Sequence, residues 1–207
     1  NKLNGWDGFK TSGAYGLAYI YKSSLNILDI YEIEELDKYE ITRTPLMLEL
    51  NWDGNLVHII NNHYKCCGDG FINFESSADE EYRRLISIKL TKTFLDDFYF
   101  DKSVVVLGDM NDELGDGVLN NEDNIFTEFI ESENYNFTDY HIAFKSSSFW
   151  SFPNWPSHLD HIMITKALYS KHDTTYTIEA EKYFSRGWSD YDEIISDHRP
   201  VGIRLKF

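Results

Sequence analysis

Four consecutive apolar residues, Val104, Val105, Val106 and Leu107, constrain this chain more than any other feature. The run is too short for a helix, and it has no polar residue to turn toward water. It predicts a strand buried on both faces, so other elements of the chain must cover it twice. Around it, apolar, β-branched and aromatic residues cluster at positions 17–21, 27–33, 46–50 and 56–60, separated by Gly, Asn, Asp or Ser. These read as further strands, and Asp53-Gly54 predicts a hairpin joining two of them. Ser77 stands three residues before Glu80, the pattern of a capping box, and Leu85, Ile88 and Leu95 then recur at helical spacing through about residue 98. A second helix is expected over residues 122–130, and strands over 162–164, 175–180 and 201–205. Strands with helices interspersed indicate an α/β arrangement, though periodicity does not say whether sheets pack on each other.

A chain of 207 residues with 42% hydrophobic and 26% charged residues is globular in composition and long enough for one domain or part of one, over residues 1–207. The formal net charge of −16 argues against broad electrostatic adhesion to nucleic acid or anionic membrane. It leaves room for a phosphate substrate met through a divalent cation that carboxylates hold. No apolar run approaches the roughly 18 to 20 residues of a membrane span, and nothing at the start reads as a signal peptide. The chain opens at Asn1 without methionine, which suggests a processed or shortened product; a secreted location is slightly favoured over a cytoplasmic one. The sequon Asn136-Phe137-Thr138 is informative only in a glycosylating system. The two cysteines, Cys66 and Cys67, are adjacent. Their Cα atoms, about 3.8 Å apart, fall below the ordinary disulfide range of about 4.4 to 6.8 Å. A vicinal disulfide, a redox or metal role, and two inert thiols remain open.

Four short motifs carry chemistry. Gly108-Asp109-Met110-Asn111 directly follows the apolar strand; residues two apart on extended chain share a side, so Asp109 and Asn111 present a carboxylate and an amide together. Asn61-Asn62-His63 ends the strand at 56–60, with Asn61 and His63 on one side and Asn62 on the other. Leu159-Asp160-His161-Ile162 sets a carboxylate at the head of an apolar strand, with His161 pointing away into structure. Ser196-Asp197-His198-Arg199-Pro200-Val201 pairs an acid with an imidazole before the closing strand. Alone, each has an ordinary structural reading, since Asp and Asn are turn formers and a histidine at a strand end is commonly a surface group. Together they hold what phosphodiester hydrolysis needs: cation ligands, a base for water and donors for the developing charge.

In this order and approximate spacing, N-x-H, G-D-x-N, L-D-H-I and S-D-H-x-P-V resemble the endonuclease/exonuclease/phosphatase superfamily, the deoxyribonuclease-I-like fold. The resemblance implies a four-layer α/β sandwich, two packed mixed sheets flanked by helices, with Mg²⁺ or Mn²⁺, or Ca²⁺, at the sheet ends. It implies that Asp197 is a metal ligand and that Asp160 orients His198. His63 would contact the phosphate, Asp109 would align the nucleophile or protonate the leaving oxygen, and Asn111 would fix the phosphate geometry. Asn61, Arg43 before Pro45, and Tyr15 are further candidates for contact with phosphate.

The family's N-terminal strands, with a Gln-Glu motif whose Glu binds metal, have no counterpart in this sequence. By that resemblance roughly 80 to 120 residues of a typical domain are absent, and weak metal binding with little turnover is expected of this chain alone. The function implied is a metal-dependent phosphodiesterase, foremost a nuclease on DNA or RNA. Alternatives are a phosphatase or phospholipase on inositol phosphates or sphingomyelin, and a binding domain using Trp150, Trp155 and Trp188 as an aromatic platform.

Overall fold

The computed structural model describes residues 4–12, 15–115 and 124–207. In chain order the strands and α-helices are β1 (Trp6–Lys10), β2 (Ala18–Lys22), β3 (Asn26–Glu32), β4 (Leu46–Trp52), β5 (Asn55–His63), α1 (Glu80–Phe98), β6 (Ser103–Asp109), α2 (Thr127–Ile130), β7 (Tyr135–Phe137), α3 (Tyr140–Ala143), β8 (Asp160–Thr165), β9 (His172–Thr177), α4 (Trp188–Ile194) and β10 (Val201–Leu205). A six-stranded mixed sheet in the order β3-β4-β5-β6-β8-β7 forms the centre, with two-stranded sheets β1-β2 and β9-β10 beside it. This is the expected α/β sandwich.

The apolar run lies in β6, where Val104, Val105 and Val106 are buried. Alternation sends Val104 and Val106 to one face, where they join Met47, Ile60 and Met163 against Leu85, Ile88, Phe94 and Leu95 of α1. Val105 and Leu107 face the other way and pack with Val57, Ile59, Ile162 and Ile164 against Val201, Ile203 and Leu205 of β10. One strand thus holds a helix layer to a second sheet. The β1-β2 hairpin is fixed to the central sheet by the Tyr19 hydroxyl, 2.8 Å from the carbonyl oxygens of both Leu46 and Ile59.

Within the central sheet β5 and β6 run parallel. A parallel pair needs a crossover, and α1 supplies it. The helix begins at Asp79, not Ser77: the Asp79 carboxylate accepts from the Tyr82 N–H at 2.8 Å. A turn closed from Asp79 N to Ser76 O delivers Asp79 to the junction, and a carboxylate suits the positive helix end better than a hydroxyl. Asp53 and Gly54 both adopt positive φ, as the predicted hairpin requires.

Other boundaries shift for identifiable reasons. The second helix is only Thr127–Ile130, because Asn124 Oδ1 accepts from Phe126 N and sets a turn there; residues 122 and 123 lie outside the described residues. The strand expected at 175–180 is His172–Thr177, pulled N-terminally by its register with β10. Strands β1 and β7 carry too little apolar pattern to be read in advance.

Gly108 has φ of +136°, and a Cβ there would lie 2.0 Å from the Asn62 carbonyl oxygen. Gly108→Ala is expected to cost about 3 kcal/mol or more through strain and overlap. Gly54→Ala, with φ of +85° and no neighbour within 4 Å, should cost about 1 kcal/mol. Urea unfolding midpoints of the two variants provide the comparison.

Candidate active site

Strand register builds the site. His63 pairs with Asp109 across β5 and β6, and Asp109 pairs with Asp160 across β6 and β8. The three form one row across three strands, so their side chains share a face. That face is the one carrying Val57, Ile59, Val105, Leu107, Ile162 and Ile164, and the polar row stands where this apolar stripe ends. His198 arrives from the opposite layer, just before β10, and its Nδ1 lies 2.7 Å from Asp160 Oδ2. His63 Nε2 is 3.5 Å from Asp109 Oδ2. Asn111 closes a tight turn at φ of +53°, donating N–H to Asp109 Oδ1 at 2.9 Å and its side-chain amide to Tyr64 O at 3.2 Å.

Ser151 braces the row from behind, its hydroxyl oxygen accepting from both Leu159 N and Asp160 N at 3.1 Å. His198 is held by Ser196 Oγ, which accepts its N–H, by the Tyr191 hydroxyl, which donates to its carbonyl, and by the Phe152 ring 4.7 Å away. His63, Asp109, Asn111, Asp160, Asp197 and His198 all line one cleft of about 760 Å³, with Cys66, Cys67, Phe152 and Trp155 on its walls.

Environment separates the titrating groups. Burial and the neighbouring Arg43 charge lower His63 to about 4, leaving it neutral. Burial opposes charge on His198 as well, but the hydrogen bond and charge of Asp160, with Asp109 and Asp197 beyond, outweigh it and raise the ring to about 9. Asp109 is raised to about 6 by burial and then by the Asp160 charge, partly offset by His198. At neutral pH the cleft therefore holds a neutral imidazole, an imidazolium and a carboxyl group close to its own titration point.

Asp109, Asp160 and His198 offer ligand atoms within 4.8 Å of one another, and Asp197 adds a carboxylate to the same cleft. Oxygen donors of this kind suit a hard cation, which needs only one or two carboxylates when a phosphate supplies the rest. Asp139, His158 and His161 also lie within 4.8 Å of each other, but there hydrogen bonds already occupy the donors. Asp139 Oδ2 lies 3.0 Å from His158 Nε2 and 2.7 Å from His161 Nδ1, Oδ1 accepts from Ile162 N, and His161 Nε2 lies 2.8 Å from the Asp112 carbonyl oxygen. Burial opposes ionisation of Asp139, yet the two histidines hold it below the usual carboxylate range. It is a structural network, in keeping with the inward orientation expected of His161.

The remaining candidates for phosphate contact do not line the main cleft, although the Arg43 charge still reaches His63. Asn61 shares the His63 face but donates its amide to Ala18 O at 3.2 Å. Arg43 Nε donates to Tyr15 O at 2.7 Å, and both residues line a neighbouring cavity of about 380 Å³ rather than the main cleft. The three tryptophans form no common platform: only Trp155 lines the cleft. Trp150 donates to Ile142 O, and Trp188 donates to Asn154 Oδ1 while stacking on Tyr191. Ser151, Asp139 and Arg84 carry no motif that would have marked them, and Asp112 is visible only as the last residue of G-D-M-N-D.

The sequence matches the Endonuclease/Exonuclease/phosphatase family over residues 14–204. A comparison with curated proteins finds no match. Among solved structures, D. rerio TDP2 complexed with single strand DNA product is similar at TM-score 0.68 and 12% identity, over 98% of this chain and 78% of that one. A variant of the 3' phosphatase NExo from Neisseria, bound to product DNA hairpin, is similar at TM-score 0.66 and 15% identity, over 98% and 80%. An AP endonuclease from Archaeoglobus fulgidus gives the same TM-score, 0.66, with 15% identity and coverage of 98% and 80%. At these identities the structural likeness speaks to the fold alone.

The Asp160–His198 pair has a defined pH signature. A histidine whose folded pKa is raised stabilises the fold fully below its unfolded pKa of about 6.5. That contribution fades as pH rises through about 9. Asp160→Asn should return His198 toward or below 6.5 and remove the stability loss between those limits, as read by NMR titration of the ring and by urea unfolding in EDTA. Asp139→Asn, which leaves two buried imidazoles short of a charged partner, is expected to cost about 3 to 5 kcal/mol by the same unfolding measurement.

Proposed function

The chain belongs to the endonuclease/exonuclease/phosphatase family, and on that premise we propose that it is a divalent-cation-dependent phosphodiesterase acting on nucleic acid. The observation that carries this reading is the in-register row His63–Asp109–Asp160 with His198 docked on its end. It unites in one cleft a neutral imidazole, a charged imidazole and a carboxyl group raised to about 6.

Asp197, with the Asp160 carboxylate in the same cleft, would hold a Mg²⁺ or Mn²⁺ ion, which would supply positive charge against the phosphate when bound. The chain's own groups do the rest. His198, kept charged by Asp160 at Nδ1, turns Nε2–H toward a non-bridging phosphate oxygen and stabilises charge there. His63, neutral, contacts a second oxygen. Asp109 takes a proton from the attacking water or returns one to the leaving oxygen, a task suited to a carboxyl group raised toward neutrality. Asn111, its amide fixed on Tyr64 O, limits the positions the phosphate can adopt.

Support for nucleic acid as the substrate comes from the TDP2 and Neisseria structures, both of which contain product DNA. The net charge of −16 favours engagement of a strand end or a few nucleotides over a long duplex track, since each additional phosphate meets an acidic surface.

The test is Mg²⁺- or Mn²⁺-dependent hydrolysis of a short DNA oligonucleotide and of bis(p-nitrophenyl) phosphate. Asp109→Asn and His198→Gln should each lower kcat about a hundredfold or more, and EDTA should abolish turnover. Hydrolysis that survives EDTA, or that persists in Asp109→Asn, would refute the assignment. Turnover of phosphate monoesters alone would move the substrate class to a phosphatase.

A further inference from the structure

Trp155 lines the cleft with Phe152 and His198, yet it is 77% exposed. Among the described residues its indole makes no hydrogen bond and no ring contact. Phe152, the neighbouring ring, is by contrast already used: it packs on the His198 imidazole at 4.7 Å. We propose that Trp155 is the base-stacking residue of the cleft, its indole face taking the nucleobase of the nucleotide whose phosphate lies at His63 and His198. The place of the phosphate rests on the phosphodiesterase reading; the stacking adds which part of the substrate the cleft recognises.

The ring is held out by a built turn. Phe152 and Ser157 form an antiparallel bridge, with N–H to O distances of 2.9 and 3.1 Å in the two directions, and it closes the turn Pro153-Asn154-Trp155-Pro156. Asn154 ties the tip to α4: its Nδ2 donates to Asp192 Oδ1 at 3.1 Å, and its Oδ1 accepts from Trp188 Nε1 at 2.8 Å. Trp188 in turn packs on Tyr191, whose hydroxyl donates to the His198 carbonyl. Pro153 fixes its own φ, and Pro156 restricts the Trp155 backbone toward extended conformations. The turn therefore shares its supports with His198, at its base through Phe152 and at its tip through α4. Little backbone freedom remains to be lost when a ligand settles on the ring.

The chemistry of the position selects a base over other partners that seek an exposed indole. Every nucleobase presents a flat π-face, so stacking is tolerant of sequence and needs no charge. The net charge of −16 opposes an anionic membrane surface, and it leaves a phosphate backbone with little electrostatic hold on this protein. Stacking supplies affinity that phosphate contacts cannot. Recognition is then set by the presence of a base beside the phosphate and depends little on which base it is.

The experiment measures the anisotropy of short fluorescein-labelled DNA strands on the hydrolysis-silent Asp109→Asn chain in Mg²⁺. One strand is ordinary, and in the other every nucleotide carries an abasic tetrahydrofuran sugar. Trp155→Ala in that background should weaken the ordinary strand about tenfold and the abasic strand less than about twofold, while Trp155→Phe keeps most of the ordinary affinity. The substitution is at an exposed position, so the urea unfolding midpoint should not move. In turnover of the DNA oligonucleotide by the chain with Asp109 intact, Trp155→Ala should raise KM about tenfold at unchanged kcat. Equal weakening of both strands would assign the ring to the sugar-phosphate backbone or to the loop and overturn the proposal. So would no weakening of either, equal loss in the Ala and Phe variants, or failure of the ordinary strand to bind. If the two strands are told apart through Trp155 but the chain with Asp109 intact hydrolyses neither, the stacking site stands and the phosphodiesterase reading falls; hydrolysis without that discrimination does the reverse.

Discussion

The hydrogen bond between Asp160 and His198 is the contact on which the rest of the cleft depends. Asp160 belongs to the central sheet and His198 to the segment entering β10, so the bond joins the two layers where their shared apolar core runs out. It fixes the ring by Nδ1 and leaves Nε2 to the cleft, and it keeps the imidazole charged where burial would otherwise discharge it. The packing of Val201, Ile203 and Leu205 against the central sheet brings the two partners to the same end of the molecule. Apolar matching between layers thus sets the position of a polar bond.

Around that bond the protein manages an excess of negative charge by several different means. Asp109 takes up part of the strain in its own titration, rising to about 6. Asp112 also rises to about 6 through burial, although Arg84 draws it back. Asp139 needs no such concession because two imidazoles surround it. The difference is chemical: a carboxylate with two ring partners stays ionised in the interior, while one beside another carboxylate cannot do so without a cation. Asp109, raised beside the Asp160 charge, belongs to the second kind and the closed Asp139 network to the first. Proximity of donors alone does not separate them; the count of hydrogen bonds already made does.

Much of the architecture is legible in the chain because its strands are apolar and its breaks are sharp. The run at Val104–Leu107, the hairpin at Asp53-Gly54 and the period of Leu85, Ile88 and Leu95 each state a local rule that tertiary packing then follows. The four motifs could be located because each sits at a strand end, where alternation assigns Asn61 and His63 to one face and Asn62 to the other. What stayed hidden depends on distant partners. Ser151 acquires its position from the N–H groups of Leu159 and Asp160, and Asp139 from rings 19 and 22 residues further on. Asp79 displaces Ser77 as a cap because of a turn closed to Ser76. The tryptophans scatter for the same reason: Trp150 and Trp188 find hydrogen-bond partners elsewhere, and only Trp155 faces the cleft. Trp155 shows no pattern that would set it apart from the other two.

The crossover through α1 has a kinetic consequence. The parallel pairing of β5 with β6 places His63 beside Asp109 only after the chain has travelled out along the loop, back through the helix and into the sheet. The Asp160–His198 bond closes a separation of 38 residues. Contacts of such range are entropically expensive and form late, after local hairpins and the helix have appeared. A partly folded chain with its helix and hairpins formed, but without these pairings, would have no assembled cleft.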